Sequence, residues 1–332
     1  MTTMLHDLET AKRFNRILNC AGRQDLEQFV SLLDERANLV QLSAGPFSGS
    51  AFKTDFPLVS VQLERCNQDI EKEVSLGKDE LAFTICVPTG NADISRDRIM
   101  QARDCVIVQT PGCKNVSILP AGTMQLTIKV SKSAFLEHHL LCPQIRDWLT
   151  KTNGKVEFLH SERFASRLRD VGGTALEISA NDETPARLEL IGRSFVLGLV
   201  GALTLEWLSK QSVPRYQRTK AFNCFQTARN IVLEGIGEAS DPWTVTLERL
   251  GSRRTVEKAF AKLINMGPAM YARVLRLNNA RRKILDDANT EKSIGDIAAE
   301  EGFWDWSRFT AYYRKQFGEL PSVTRSKFLL SK

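Results

Sequence analysis

Residues 293–322 read SIGDIAAEEGFWDWSRFTAYYRKQFGELPS, and the parsing of this stretch decides the fold of the C-terminal third. Ser293 stands three residues before Asp296, a spacing that caps a helix start, so a short helix is expected over Ile294–Glu301. Gly302 then permits a tight turn, because glycine enters the left-handed region without a Cβ penalty. Asp305 is placed to cap a second helix by accepting backbone N–H bonds. In that helix Phe309, Tyr312, Tyr313 and Phe317 recur at the spacing of a buried stripe. Ser307, Thr310, Ala311 and Arg314 lie opposite, with Arg308 and Lys315 at the edges. Phe303 and Trp304 are expected to wedge the turn against the core. Trp306 lies at the stripe's edge, where it packs inward or meets a partner.

A short helix, a glycine turn and a second helix with a small, polar and basic outer face form a helix-turn-helix, which lays its second helix in the major groove of DNA. The same grammar occurs upstream. Gly251 and Ser252 precede SRRTVEKAFAKL (252–263), in which Val256, Phe260 and Leu263 form the stripe and Arg254, Lys258 and Ala261 face away. Between the two units Pro268 opens the basic helix PAMYARVLRLNNARRKIL (268–285). Its Arg273, Arg276, Arg281, Arg282 and Lys283 either reach phosphate or face solvent.

Further upstream the texture changes. Residues 5–36 have helical periodicity. From about 40 to 130, short alternating runs such as LVSVQLERC (58–66), LAFTICVP (81–88), CVIVQ (105–109) and MQLTIKV (124–130) alternate with turn formers, which points to a β-sandwich or barrel. Helical periodicity returns over 132–150 and 160–210, with Gly172-Gly173 and residues 181–185 as expected breaks. The polar, basic segment 209–220 contains Pro214 and reads as a linker. The organisation expected is a regulatory and dimerisation domain over 1–210, a linker at 211–220 and an all-helical domain over 221–330. Its helix-turn-helix units fall at about 244–264 and 294–317, and a fragment 215–332 is expected to fold alone.

The bulk properties narrow the function. The chain has 332 residues, enough for two domains. Residues 1–210 carry 24 Lys and Arg against 26 Asp and Glu, so the net charge of +6 comes entirely from residues 211–332, at +8. A basic C-terminal part fits a polyanionic partner. Seven scattered cysteines without metal-ligand spacing suit reduced thiols in a cytosol, and the first residues lack the apolar core of a secretory signal. A cytoplasmic protein is therefore expected. The apolar run FVLGLVGALTL (195–205) is too short to span a bilayer and reads as a buried helix, so no membrane partner is expected. None of the four histidines lies between 40 and 130, which argues against a metal-dependent enzyme in the β-region. No phosphate-cradling glycine motif is present. The reading assigns no catalytic residue, no metal and no cofactor.

The two units in this order, the connecting helix and the closing QFGELPS together resemble the DNA-binding domain of the AraC/XylS family of bacterial transcription regulators. The resemblance covers about a third of the chain. It implies an α+β multidomain protein: an N-terminal cupin-like β-barrel or sandwich with flanking helices, and a C-terminal all-α domain with two helix-turn-helix units. It also implies a regulator, read as an activator, that binds double-stranded DNA, contacts RNA polymerase, forms a homodimer and responds to a small-molecule or nucleotide effector. Carried over by position, Arg253, Arg254, Thr255 and Lys258 lie on the first reader helix and Trp306, Ser307, Arg308, Thr310 and Arg314 on the second. In one respect the chain departs from the family. TVTLERL (244–250) runs straight into Gly251-Ser252 and leaves the first unit's leading helix a few residues short, which puts base reading by that unit in question. A barrel interior lined by Val, Ile, Leu and Phe would suit a partly apolar ligand. The arginines of 96–103 and 163–169 would instead suit an anion or nucleotide. The alternative to a gene regulator is an effector-binding or protein-interaction module with a degenerate helix-turn-helix domain.

Overall fold

The computed structural model describes residues 2–33, 37–87, 104–178, 184–210, 219–234 and 252–330. The chain divides into two compact units. The first comprises Met1–Asn38, Ser48–Asn67 and Lys72–Gln217; the second comprises Leu39–Phe47, Gln68–Glu71 and Arg218–Lys332.

In chain order the elements of the N-terminal two-thirds are α1 (Thr2–Ala21), α2 (Leu26–Leu32), β1 (Ala37–Gln41), β2 (Gly49–Phe56), β3 (Val59–Cys66), β4 (Ile70–Ser75), β5 (Glu80–Val87), β6 (Cys105–Gln109), β7 (Lys114–Leu119), β8 (Met124–Ser131), α3 (Lys132–Glu137), α4 (Pro143–Lys151), β9 (Val156–His160), α5 (Glu162–Glu177) and α6 (Pro185–Lys210). A six-stranded sheet has the order β2-β3-β8-β5-β6-β9, and a three-stranded sheet has the order β1-β4-β7. Every neighbouring pair of the larger sheet is antiparallel. Strand β9 completes the edge against β6. Sequence periodicity left its residues unassigned, because a five-residue strand carries too little pattern.

Strand alternation divides the larger sheet into two chemically different faces. Val59, Val61 and Leu63 of β3, Leu81, Phe83 and Ile85 of β5, and Met124, Leu126 and Ile128 of β8 are buried with Phe14, Phe135, Trp148, Phe164 and Leu199 from the flanking helices. Many of the intervening residues are polar, although Ala82, Cys86 and Ile107 are also among them. Gln62, Thr84, Gln109, Gln125 and Thr127 line a narrow interlayer with Lys72, Asn115 and Ser117 of the smaller sheet. Glu64 is buried there in an ion pair with Lys72 and accepts a 2.7 Å hydrogen bond from Gln62 Nε2. The expected interior of Val, Ile, Leu and Phe is corrected in part: most of these side chains pack on the helices, and the space between the sheets mixes polar side chains with Val74, Leu76, Ala82 and Ile107.

Two helical expectations are corrected as well. Gly172-Gly173 does not break a helix; α5 runs through both. A Cβ at Gly172 would fall 2.7 Å from Leu126 Cδ2, and one at Gly173 would fall 2.7 Å from the Arg13 guanidinium. These glycines are there so that α5 can lie close on β8 and α1. Helix α6 has 26 residues, twice the apolar run and more, and is long and apolar enough to cross a membrane by length and composition. Only 28% of it is buried. Val196, Leu199, Val200 and Leu203 face the core, whereas Leu190 (65%), Leu197 (44%), Leu205 (56%) and Leu208 (65%) are exposed.

The second unit contains α7 (Lys220–Glu234), α8 (Arg253–Ile264), α9 (Pro268–Ile284), α10 (Ile294–Glu300), α11 (Trp306–Phe317) and α12 (Pro321–Leu330). Phe225, Phe260 and Tyr271 meet with ring centroids 4.9–5.6 Å apart. Against them sits Glu71, contributed by the short segment Gln68–Glu71. Arg229 Nε donates to Glu71 Oε1 at 2.6 Å and the Tyr271 hydroxyl donates to Oε2 at 2.5 Å, all three side chains being buried. Burial and the adjacent carboxylate push the Tyr271 phenol well above its ordinary pKa, so it stays a proton donor. The segment Leu39–Phe47 is held in the same manner. Gln41 N–H donates to Asn278 Oδ1 at 3.0 Å, Asn278 Nδ2 donates to Gln41 O at 3.2 Å, and Gln316 Nε2 donates to the same oxygen at 2.8 Å.

A fragment 215–332 lacks both of these segments. Without Glu71 the buried Arg229 guanidinium and Tyr271 hydroxyl lose the carboxylate they share, and breaking a buried ion pair by removing one partner costs about 3–5 kcal/mol. Glu71→Ala in the full chain is expected to lower stability by that amount in urea unfolding. A loss below about 1 kcal/mol would mean that the pair behaves as a solvated one.

Candidate nucleic-acid interface

The second helix-turn-helix is built as its sequence predicts. Ser293 Oγ accepts from Asp296 N at 3.0 Å and starts α10. Gly302 takes φ +76°, and a Cβ there would approach Arg276 Nη1 to 3.1 Å, so both conformation and space favour glycine. Asp305 Oδ1 accepts from Arg308 N at 3.0 Å and starts α11, and Gly318 at φ +77° ends it. Phe309, Tyr313 and Phe317 are buried with Leu277, Ile284 and Ile297. The outer face presents Ser307, Arg308, Ala311, Arg314 and Lys315 to solvent. Thr310 is half-buried, and its hydroxyl oxygen is enclosed without a hydrogen-bond partner.

Trp304 departs from the wedge expectation, and Trp306 lies at the stripe's edge as expected. Phe303 alone closes the turn: its ring lies 5.2 Å from Phe309, and the Arg276 guanidinium stands over it at 5.3 Å. Trp304 is 87% exposed and does not wedge anything. Trp306 divides its surface, 50% exposed yet with its ring 5.7 Å from Phe309. Sequence pattern could not separate Phe303 from Trp304, because both are large, aromatic and adjacent in a turn.

The first reader helix, α8, starts at Ser252, whose Oγ accepts from Thr255 N at 3.3 Å. It buries Val256, Phe260 and Leu263 and exposes Arg253, Arg254, Thr255 and Lys258. Arg253 is tied to Glu257 at 2.8 Å, and the Ser252 and Thr255 hydroxyls are 2.9 Å apart. TVTLERL and Gly251, the shortened lead-in to this helix, lie outside the described residues.

The cations of α9 mostly do not form a free row for phosphate. Arg281 is buried, 3.0 Å from Glu319 and over the Phe317 ring. Lys283 bridges Glu300 and Glu301 at 3.0 and 2.9 Å, and these carboxylates, Glu301 foremost, raise its ammonium pKa. Arg273 stands 4.3 Å over Tyr312. Arg276 is half-buried, its Nε has no hydrogen-bond partner, and burial together with the charge of Arg273 lowers its pKa. Only Arg282 is classed as exposed, with Asn279 accepting its hydrogen bond. The helix therefore braces the domain with charges that the sequence left free.

Candidate effector groups are reported on the same terms. Gln109 Nε2 is buried in the interlayer with no partner, beside a cavity of about 20 Å³. The interlayer was legible as the polar half of LVSVQLERC, had the alternation been read for both faces. Arg163 and Arg167 are exposed whereas Arg169 is buried, so they do not form one anion-binding cluster; residues 96–103 lie outside the described residues. None of the seven cysteines is in a disulfide, and burial pushes the Cys86 and Cys105 thiols up to about 12. Among the described residues no group of His, Cys, Asp and Glu could hold a metal.

The comparisons with known proteins fall on this same region. A model of a helix-turn-helix domain matches residues 251–327. The chain is 30% identical over 131 residues to the XylDLEGF operon transcriptional activator of Pseudomonas putida, covering 40% of this chain and 38% of that protein. It is 37% identical over 76 residues to the HTH-type transcriptional regulator ArgR of Pseudomonas aeruginosa, over 23% and 22% of the two chains. It is also 37% identical over 78 residues to the HTH-type transcriptional activator RhaR of Pectobacterium carotovorum, over 24% and 26%. The matched part spans about two-fifths of the first of these relatives, or less of the others. ToxT from Vibrio cholerae aligns over 89% of this chain and 97% of its own, but at 11% identity and a TM-score of 0.29, a likeness too distant to argue from. The two capped helices α8 and α11, the glycine turn between α10 and α11, and the identity over this domain make residues 251–327 similar to the helix-turn-helix domains of these transcription regulators.

Proposed function

We propose that the chain is a sequence-specific regulator of transcription that binds double-stranded DNA through α8 and α11, and that it acts as an activator by contacting RNA polymerase. The observation that carries this is the two-sided construction of α11: an aromatic stripe buried on one side, and Ser307, Arg308, Ala311 and Arg314 exposed on the other. Arg253, Arg254, Thr255, Lys258, Trp306, Ser307, Arg308, Thr310 and Arg314 are the assigned contacts. Small Ala311 lets the helix approach the groove, and Arg314 can reach a guanine edge or a phosphate. Thr310 is the least accessible of the set and needs a small local shift to take part.

The domain limits proposed are 1–210 for regulation and 221–330 for DNA binding, joined by 211–220, with Leu39–Phe47 and Gln68–Glu71 serving the second. We place the protein in the cytoplasm and assign it no catalysis and no cofactor. The effector proposed is a small, hydrogen-bonding molecule that enters the sandwich interlayer. Gln109 and the Glu64–Lys72 pair offer it polar partners, and the layers must part to admit it, since the present space holds about one water. Dimerisation is assigned to α6. Leu190, Leu197, Leu205 and Leu208 recur along one side with Ser194 and Gly201 between them, a stripe that a second copy can cover.

Three measurements test the proposal. Arg314→Ala is expected to weaken binding to a selected duplex by about 1–3 kcal/mol if the guanidinium reads a base; unchanged affinity removes Arg314 from the interface. Binding that is steep in salt but indifferent to sequence would favour the degenerate interaction module over a regulator. Leu197→Glu combined with Leu205→Glu is expected to convert a dimer to a monomer by light scattering, and a dimer that survives places its interface elsewhere.

A further inference from the structure

The fold leaves the indole of Trp304 without a structural task. The turn is made by Gly302 at φ +76° and closed by the Phe303 ring, and the following helix is capped by Asp305. Trp304 contributes to none of these and is 87% exposed, the highest value among the exposed large hydrophobic side chains of the described residues. Leaving an indole in water forgoes burial of a large apolar surface, so its presence calls for a partner outside the fold.

Its surroundings say which kind. Trp304 directly precedes the cap residue of α11, the end of a reader helix that lies at the groove while the flanking turn passes over the sugar–phosphate rim. Indole N–H is a donor with no acceptor, which matches phosphate oxygens, acceptors only. Beside it, Arg276 covers Phe303, has a buried Nε with no hydrogen-bond partner among the described residues, and feels the like charge of Arg273 as well as the opposite charge of Glu301, while Arg308 on the first turn of α11 is ion-paired with Asp305. A polyanion relieves that repulsion; a basic or neutral protein surface does not.

We propose that Trp304 is a DNA contact in its own right, laying its indole along the sugar–phosphate backbone at the entrance of the second reader helix and donating its N–H to a phosphate. Such a contact positions the helix without reading sequence. The inference rests on the assignment of α11 as a DNA reader and adds a residue that the helix pattern does not supply. Being uncharged, Trp304 displaces no condensed counterion, so its loss weakens binding without flattening the salt dependence.

The test uses the full chain and a duplex that it selects from a randomised pool. Trp304→Ala is expected to lower affinity about tenfold, equally for the selected and a scrambled duplex, with the slope of log affinity against log salt unchanged. Trp304→Phe keeps a ring but removes the donor and is expected to lose most of the same affinity. In the wild type, the fluorescence component lost in Trp304→Phe is expected to become shielded from acrylamide when the duplex is added. Unchanged affinity in Trp304→Ala, or equal quenching with and without duplex, overturns the proposal. Unchanged DNA binding with lost activation would reassign the indole to a protein partner and overturn it equally. Failure of the wild-type chain to select any duplex would instead defeat the underlying DNA-reader assignment, which separates the two outcomes.

Discussion

The carboxylate of Glu71 is the constraint on which the second unit depends. It is 1% exposed and shares its two oxygens between Arg229 Nε and the Tyr271 hydroxyl. Burying a charge pair is costly, and a well-packed apolar trio of the same volume could be at least as stable. What the ionic arrangement does differently is to penalise alternatives: displacing one member takes a hydrogen-bond or charge partner from groups that remain buried. Sequence separations of 158 and 200 residues make the contact a statement about which distant segments belong together. The Gln41–Asn278–Gln316 set repeats the device with neutral amides, pairing a strand end with side chains of α9 and α11. The helices that carry the proposed DNA contacts are consequently held in part by residues from the first quarter of the chain.

The six-stranded sheet shows a complementary logic. One face has the ordinary apolar pattern and supplies the core with α1, α3, α4, α5 and α6. The other faces a second sheet yet carries Gln, Thr, Glu and Lys side chains, a composition that buried sandwich interiors avoid because each polar group must find a partner. Most do: Gln62 with Glu64, Glu64 with Lys72, Thr84 with Thr127. Gln109 Nε2 does not. A largely polar, nearly closed layer with a spare donor can open around a hydrogen-bonding solute at little cost in lost apolar contact, which an apolar interior could not do.

Legibility in the sequence followed the range of the interactions. Caps, the glycine turn and the aromatic stripe of α11 are local, and Ser293, Gly302, Asp305 and Phe309 could be read directly. The strand texture over 40–130 was equally plain. Elements set by distant packing were not legible. Gly172 and Gly173 read as a break because glycine weakens helices, and only contact with Leu126 and Arg13 explains their place inside α5. Helix α6 read as a short buried run, because the exposed leucines at 190, 197, 205 and 208 are indistinguishable by type from the buried ones at 199 and 203. Trp304 and Phe303 differ only in which ring the turn rotates inward. No local pattern carries that information.

Net charge is a poor guide to where such a protein meets a polyanion. Residues 211–332 hold the whole positive surplus, but much of it is spent internally: Arg229 on Glu71, Arg281 on Glu319, Lys283 on Glu300 and Glu301, Lys292 on Glu300, Lys327 on Glu319. By contrast, Arg254 and Lys258 on α8 and Arg314 and Lys315 on α11 are exposed and have no ion-pair partner among the described residues. A paired cation has its field cancelled at short range and is screened beyond about 8–10 Å at ordinary ionic strength. On these two helices Arg253 and Arg308 are paired with Glu257 and Asp305, and the charge without an ion pair there is carried by Arg254, Lys258, Arg314 and Lys315. Charge and shape arrive at the same surfaces by independent routes. The agreement between them, rather than the size of the surplus, supports the proposed reading face.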